Sequence, residues 1–93
     1  MALFHCHMTV NLPPDMDPEL KADFLARERE YSQKQQTSGK WPQIWRIAGE
    51  YANISILDVA DADELHTILS GLPLFPYMDI KVTPLAKHPN DVK

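Results

Sequence analysis

The sequence has one cysteine, three glycines and no long apolar run. The lone Cys6 excludes an internal disulfide and any cysteine-built metal cluster. Glycines at 39, 49 and 71 only leave no glycine-rich loop for cradling phosphate. The apolar runs fall well short of the roughly 20 residues that a membrane-spanning helix needs. Basic residues are outnumbered, 9 against 13 acidic, giving a net charge of −4. That balance offers no electrostatic case for nucleic acid or an anionic membrane surface. The opening Met1-Ala2-Leu3-Phe4-His5 lacks a basic segment, an extended apolar stretch and a small-residue cleavage site. No export signal is expected there, and the expected compartment is the cytoplasm.

What is present is ordinary globular composition, 44% hydrophobic and 24% charged over 93 residues. Residues 1–93 read as a single domain, without repeat, linker or low-complexity tract. A chain this short buries only roughly 60–65% of its unfolded surface, so association with further copies is a natural expectation.

The first element alternates. Phe4, Cys6, Met8 and Val10 share one face, and His5, His7, Thr9 and Asn11 the other, up to Leu12-Pro13-Pro14. This is a strand. Asp17-Pro18-Glu19 is a helix start, with an N-cap aspartate, a proline in the first turn and an acidic neighbour. The helix should run on toward Gly39. Gln43–Ala48 and Tyr51–Val59 read as strands joined across Gly49-Glu50. Asp61 and Glu64 form a capping box ahead of the stripe Leu65, Ile68, Leu69 and Leu72. After Leu72-Pro73-Leu74-Phe75-Pro76, a last strand alternates Met78, Ile80 and Val82 with Asp79, Lys81 and Thr83. The order is βαββαβ, a ferredoxin-like α+β fold with an antiparallel sheet and helices on one face. Its second sheet face, half apolar by pattern, would be covered by another subunit.

Leu20, Phe24, Glu28 and Tyr31 lie along one face of the first helix, so a carboxylate interrupts an apolar stripe. Loss of hydration would raise the Glu28 pKa toward that of a general base for neutral conditions. A carboxylate at the stripe's edge, paired with arginine or reaching water, fits the same spacing. Tyr51 and Asn53 share a strand face and offer a phenol and an amide to an oxygen on which charge develops, or form a cross-strand polar pair. Arg46 suits a carboxylate ligand, or is the partner of Glu28 or Glu50. His5 fits a hydrogen-bonding role in a polar pocket or a partly exposed position. His5 and His7 have the spacing of two metal ligands, but no third or fourth follows, so no metal is expected. Cys6 reads as a small core residue rather than a nucleophile, and Trp41 and Trp45 as core or interface anchors.

Several longer strings go further. Trp45-Arg46-Ile47-Ala48-Gly49, Tyr51-Ala52-Asn53 and Leu72-Pro73-Leu74-Phe75-Pro76-Tyr77-Met78-Asp79-Ile80 closely resemble the muconolactone isomerase family. So do Leu3-Phe4-His5, Met8-Thr9-Val10 with Leu12-Pro13, and Asp15-Met16-Asp17-Pro18, so the resemblance covers nearly the whole chain. It implies ferredoxin-like subunits paired as dimeric α+β barrels and assembled into rings, typically decamers. It implies a cofactor-free isomerase of the β-ketoadipate route of catechol breakdown, turning muconolactone into 3-oxoadipate enol-lactone. Glu28 matches the family's acid/base position. His5, Tyr51 and Asn53 are carried over as hydrogen-bond donors to substrate or dienolate, while Arg46 is assigned to the substrate carboxylate from its charge alone.

For these groups to meet, the face bearing His5, Tyr51 and Asn53 should lie under the first helix, leaving Phe4, Cys6 and Met8 to build the subunit interface. Two other readings stay open on this scaffold. One is a sister enzyme, such as a chloromuconolactone dehalogenase or an isomerase of a substituted lactone. The other is a non-catalytic ligand-binding or ring-forming protein.

Overall fold

Asp17 ends an irregular, turn-containing segment and begins the long helix: its carboxylate accepts the Leu20 N–H at 3.1 Å, with Pro18 in the first turn. The computed structural model describes residues 2–92. They form β1 (Ala2–Val10), α1 (Pro18–Thr37), β2 (Gln43–Arg46), β3 (Ala52–Val59), α2 (Ala62–Ser70), a single 3-10 turn (Phe75–Tyr77) and β4 (Met78–Leu85). The strands make one antiparallel sheet in the order β2-β3-β1-β4, the ferredoxin-like arrangement expected from the sequence.

Strand β2 is two residues shorter than its alternation suggested. Ile47 to Glu50 instead make a turn closed by Glu50 N–H on the Ile47 carbonyl at 3.1 Å. Gly49 takes φ +83 there, a conformation that favours glycine and ends the pairing.

Helix α2 is capped on both sides of its start. The Asp61 carboxylate accepts the Glu64 N–H at 2.9 Å, and Glu64 reaches back to the Ala60 N–H at 2.9 Å. The reciprocal arm therefore falls one residue earlier than in the usual box. Lys40 closes the same carboxylate at 3.1 Å, and these contacts hold the Glu64 pKa below the ordinary value, the Ala60 N–H contributing most. With its ends satisfied, α2 lays Leu65, Ile68 and Leu69 on the sheet, where they meet Phe4, Cys6, Met8, Leu57, Val59, Trp41 and Leu72. Each such side chain contributes about 1.5–3 kcal/mol on burial, so this cluster is the main source of stability.

The register corrects one expectation. Met8 stands opposite Asn53, Cys6 opposite Ser55 and Phe4 opposite Leu57. Directly paired residues point to the same side of a sheet, so Phe4, Cys6 and Met8 lie on the helix-covered face together with Asn53. His5 and His7 share the opposite face with Ile54 and Ile56. The expected grouping of His5 with Tyr51 and Asn53, and of Phe4, Cys6 and Met8 with a subunit interface, is therefore wrong. The apolar triplet serves the core because it is what α2 has to pack against. Burial also pushes the Cys6 thiol up to about 11, in keeping with a core residue.

Candidate active site

Helix α1 relates to the sheet differently from α2: each of its residues keeps some exposure. Leu20, placed on the inward stripe by spacing, is 45% exposed, whereas Phe24, Glu28 and Tyr31 are half-buried. Phe24 and Glu28 meet the stretch that follows α2, and Tyr31 meets the last turn of α2 itself. Phe24 stands edge-on to Tyr77, with ring centroids 5.7 Å apart. Glu28 Oε1 accepts the Leu74 N–H at 3.0 Å, and the Tyr31 hydroxyl donates to the Ile68 carbonyl at 2.6 Å.

Between α1 and the sheet lies a cavity of about 400 Å³. Leu25, Glu28, Arg29 and Ser32 line it from the helix, and Arg46, Tyr51 and Asn53 from the β2–β3 hairpin. Val10, Ile44, Trp41, Leu74 and Met78 give it apolar walls. A second depression of about 610 Å³, near Pro13, Pro14 and Lys21, shares Val10 and Tyr51 with it but none of the other polar groups.

Of the residues singled out in the sequence, Glu28, Arg46, Tyr51 and Asn53 thus border one cavity. His5 does not, because β1 turns it to the other sheet face. Trp41 is both core and cavity wall, and Trp45 is 65% exposed.

Burial raises the Glu28 pKa above the ordinary carboxylate value, and the Leu74 N–H offsets part of the rise. One oxygen is held by that backbone donor, so the other is available to the cavity. At Asn53, the fully buried Ser55 hydroxyl donates to Oδ1 at 2.7 Å. The amide oxygen is thereby occupied, and its NH₂ is the group with hydrogen bonds to give. The Arg46 guanidinium rests over the Tyr51 ring at 5.5 Å, which orders both side chains while leaving its N–H donors for an anion. The arrangement is a partly desolvated base facing two neutral donors and a cation. It can remove a proton from a carbon conjugated with a carbonyl through a double bond and stabilise the charge that results on the oxygen.

Sequence reasoning missed three parts. Ser55 carried a usable signal, since period two puts it on the Asn53 face. Ser32 had a weaker one, one helical turn after Glu28, while Arg29, adjacent to Glu28 in sequence, had none. The Leu74 N–H had none, because a backbone donor leaves no mark in residue type. Among the described residues, no three His, Cys, Asp or Glu side chains gather as metal ligands would, and no helix is long and apolar enough to cross a membrane.

Comparison with known proteins gives a consistent result. A family model described as muconolactone delta-isomerase matches residues 2–91. The chain is 60% identical to a muconolactone delta-isomerase of Rhodococcus opacus over the full length of both proteins. It is 58% identical to muconolactone delta-isomerase 1 of Acinetobacter lwoffii, covering 98% of this chain and 95% of that protein. A crystal structure of muconolactone isomerase superposes with a TM-score of 0.94 at 50% identity, covering 98% of this chain and 95% of the other.

Proposed function

The chain belongs to the muconolactone delta-isomerase family, and from that premise we infer that it moves the ring double bond of muconolactone to give 3-oxoadipate enol-lactone in catechol catabolism. The observation that carries the mechanism is the half-buried Glu28 carboxylate, its pKa raised by burial, on the same cavity as Tyr51 and Asn53.

Glu28 takes the proton from the ring carbon that bears the acetate arm. The released electron pair forms a new ring double bond, and the former one shifts toward the lactone carbonyl. Its oxygen becomes the negative end of a dienolate. Tyr51 and the Asn53 NH₂ donate to that oxygen, and removing one such donor costs on the order of 3 kcal/mol of transition-state stabilisation. Protonated Glu28 then returns its proton to the carbon beside the carbonyl, the oxyanion collapses, and the carboxylate is restored. One carboxylate completes the cycle, and the scheme uses no cofactor. Arg46 holds the substrate's acetate in this scheme. His5, on the far sheet face, takes no part in it.

The test is NMR of muconolactone turnover in deuterated buffer by the wild type and Glu28→Gln. The expected result is enol-lactone formation that falls at least about a hundredfold in the variant. Some retention of the substrate's own proton in the product is expected of a single shuttling base. Wild-type-like turnover by Glu28→Gln would sink the assignment, and a wild type that acts only on chloromuconolactone would be a dehalogenase instead.

The same proposal treats residues 1–93 as one domain in a homo-oligomer, paired as an α+β barrel and assembled as a decamer. Its support is the sheet face opposite the helices, where Leu3, Trp45 and Leu85 are exposed. On that face the buried His7 Nε2 and Asp58 Oδ1 lack a hydrogen-bond partner among the described residues. Sedimentation of a monomer at micromolar concentration would refute it. A cytoplasmic setting is proposed on the single, free Cys6 thiol, which suits a reducing compartment.

A further inference from the structure

A carboxylate that serves two ring carbons in turn must be held at a fixed height above the sheet. Helix α1 supplies that height without a fully buried residue of its own, so its few tertiary attachments matter. They bracket Glu28. Phe24 against Tyr77 lies one turn before it, the Leu74 N–H meets it, and Tyr31 on Ile68 lies one turn after it.

The Tyr31 attachment has a built seat. The Ile68 carbonyl belongs to the last turn of α2, where a helix has no N–H of its own to offer. Gly71 follows at φ −80 and ψ −10, which any residue adopts, so the backbone conformation does not call for glycine. The approach of Tyr31 does. A Cβ at position 71 would stand 2.5 Å from the phenol oxygen, which would have to move, and 3.1 Å from Cζ, which would have to give by a few tenths of an ångström. Burial, and then the charge of Glu28, raise the Tyr31 pKa, which keeps the phenol protonated and donating.

We propose that Tyr31 is a positioning residue, whose phenol, seated against the bare Gly71 and bonded to the Ile68 carbonyl, sets the height of α1 and aims Glu28 into the cavity. The proposal rests on the reading of Glu28 as the acid/base.

The test compares Gly71→Ala, Tyr31→Phe and the double variant, each with Glu28 intact and with Glu28→Gln, in muconolactone isomerisation. Gly71→Ala should lower kcat about tenfold, with KM changed less than about twofold, since small misplacements of a reacting group have large rate effects. The acid limb of its pH profile should move to lower pH as Glu28 loses burial. Tyr31→Phe should lose about threefold, and the double variant should return to about the Tyr31→Phe level because the nearest clashing atom is gone. In the Glu28→Gln background none of these changes should alter the residual rate.

Wild-type kcat and pH limb in Gly71→Ala would overturn the proposal. So would a double variant no better than Gly71→Ala, or equal losses in the Glu28→Gln background, which would mark a purely structural contact. Should Gly71→Ala fail to fold, Tyr31→Phe decides alone: a lowered kcat with a moved limb supports the latch, and unchanged values refute it. Full activity of Glu28→Gln would instead remove the acid/base reading itself, an outcome separate from the failure of the latch.

Discussion

The two helices on this sheet are built on opposite terms. Helix α2 is short and amphipathic, satisfied at its start, and pressed onto the core through Leu65, Ile68 and Leu69. Helix α1 is more than twice as long, stands off from the sheet, and leaves room beneath it for the cavity. Their carboxylates differ in the same sense. Glu64 gains hydrogen bonds that favour its charge, while Glu28 loses water and is kept closer to neutrality. One helix is arranged for stability and the other, on the proposed role of Glu28, for reactivity, and the second tolerates its costs because the first supplies the core.

Substitutions can break that division. Leu69→Ala should destabilise by about 2–5 kcal/mol in urea denaturation while the folded fraction keeps its activity per molecule. Leu25→Ala, on the cavity side of α1, should stay within about 1 kcal/mol and act on KM instead. A global loss from Leu25→Ala as large as that from Leu69→Ala would abolish the contrast. Asn53→Ala should show the reverse separation, with kcat down about a hundredfold and little change in melting temperature. Asp61→Ala should cost about 1 kcal/mol, since the cap it removes serves the helix that is coupled to the core. Asp17→Ala should cost less, measured in the same denaturation series.

The smallest effect expected is on the pH dependence of stability. Raising the folded-state pKa of Glu28 above its unfolded value means that ionisation disfavours the fold. The penalty is fully present above the folded pKa and vanishes as pH falls below the ordinary carboxylate value. Glu28→Gln should therefore melt slightly higher than wild type at neutral pH, with the gap closing on acidification. Glu64 works the other way, stabilising above its unfolded pKa and losing that contribution as pH falls through its lowered folded pKa. A gap that widens in acid would contradict the burial of Glu28.

Much of this was legible from local chemistry. The alternation in Phe4–Val10, the Asp17-Pro18 helix start and the Asp61/Glu64 box each depend on neighbours in sequence, and each formed, the box with its return bond shifted to the Ala60 N–H. The side of the sheet on which His5 falls did not. Alternation divides a strand into two faces but cannot say which one a distant strand will share, and only the pairing of Met8 with Asn53 decides it. The site followed the same rule. Glu28, Tyr51, Asn53 and Arg46 were marked by residue type and spacing, and folding brings them onto one cavity. The Leu74 N–H that holds Glu28 depends on how α1 docks on the 68–77 stretch, which no local pattern encodes.

The burial of Cys6 has a consequence for life among aromatic compounds. Catechols oxidise readily to quinones, and quinones capture protein thiolates. A thiol sealed in the core and held neutral up to about pH 11 presents neither an accessible sulfur nor a nucleophilic one. Among the described residues it is the one thiol, so electrophiles arising from the pathway's own feedstock find no cysteine to alkylate while the fold is intact.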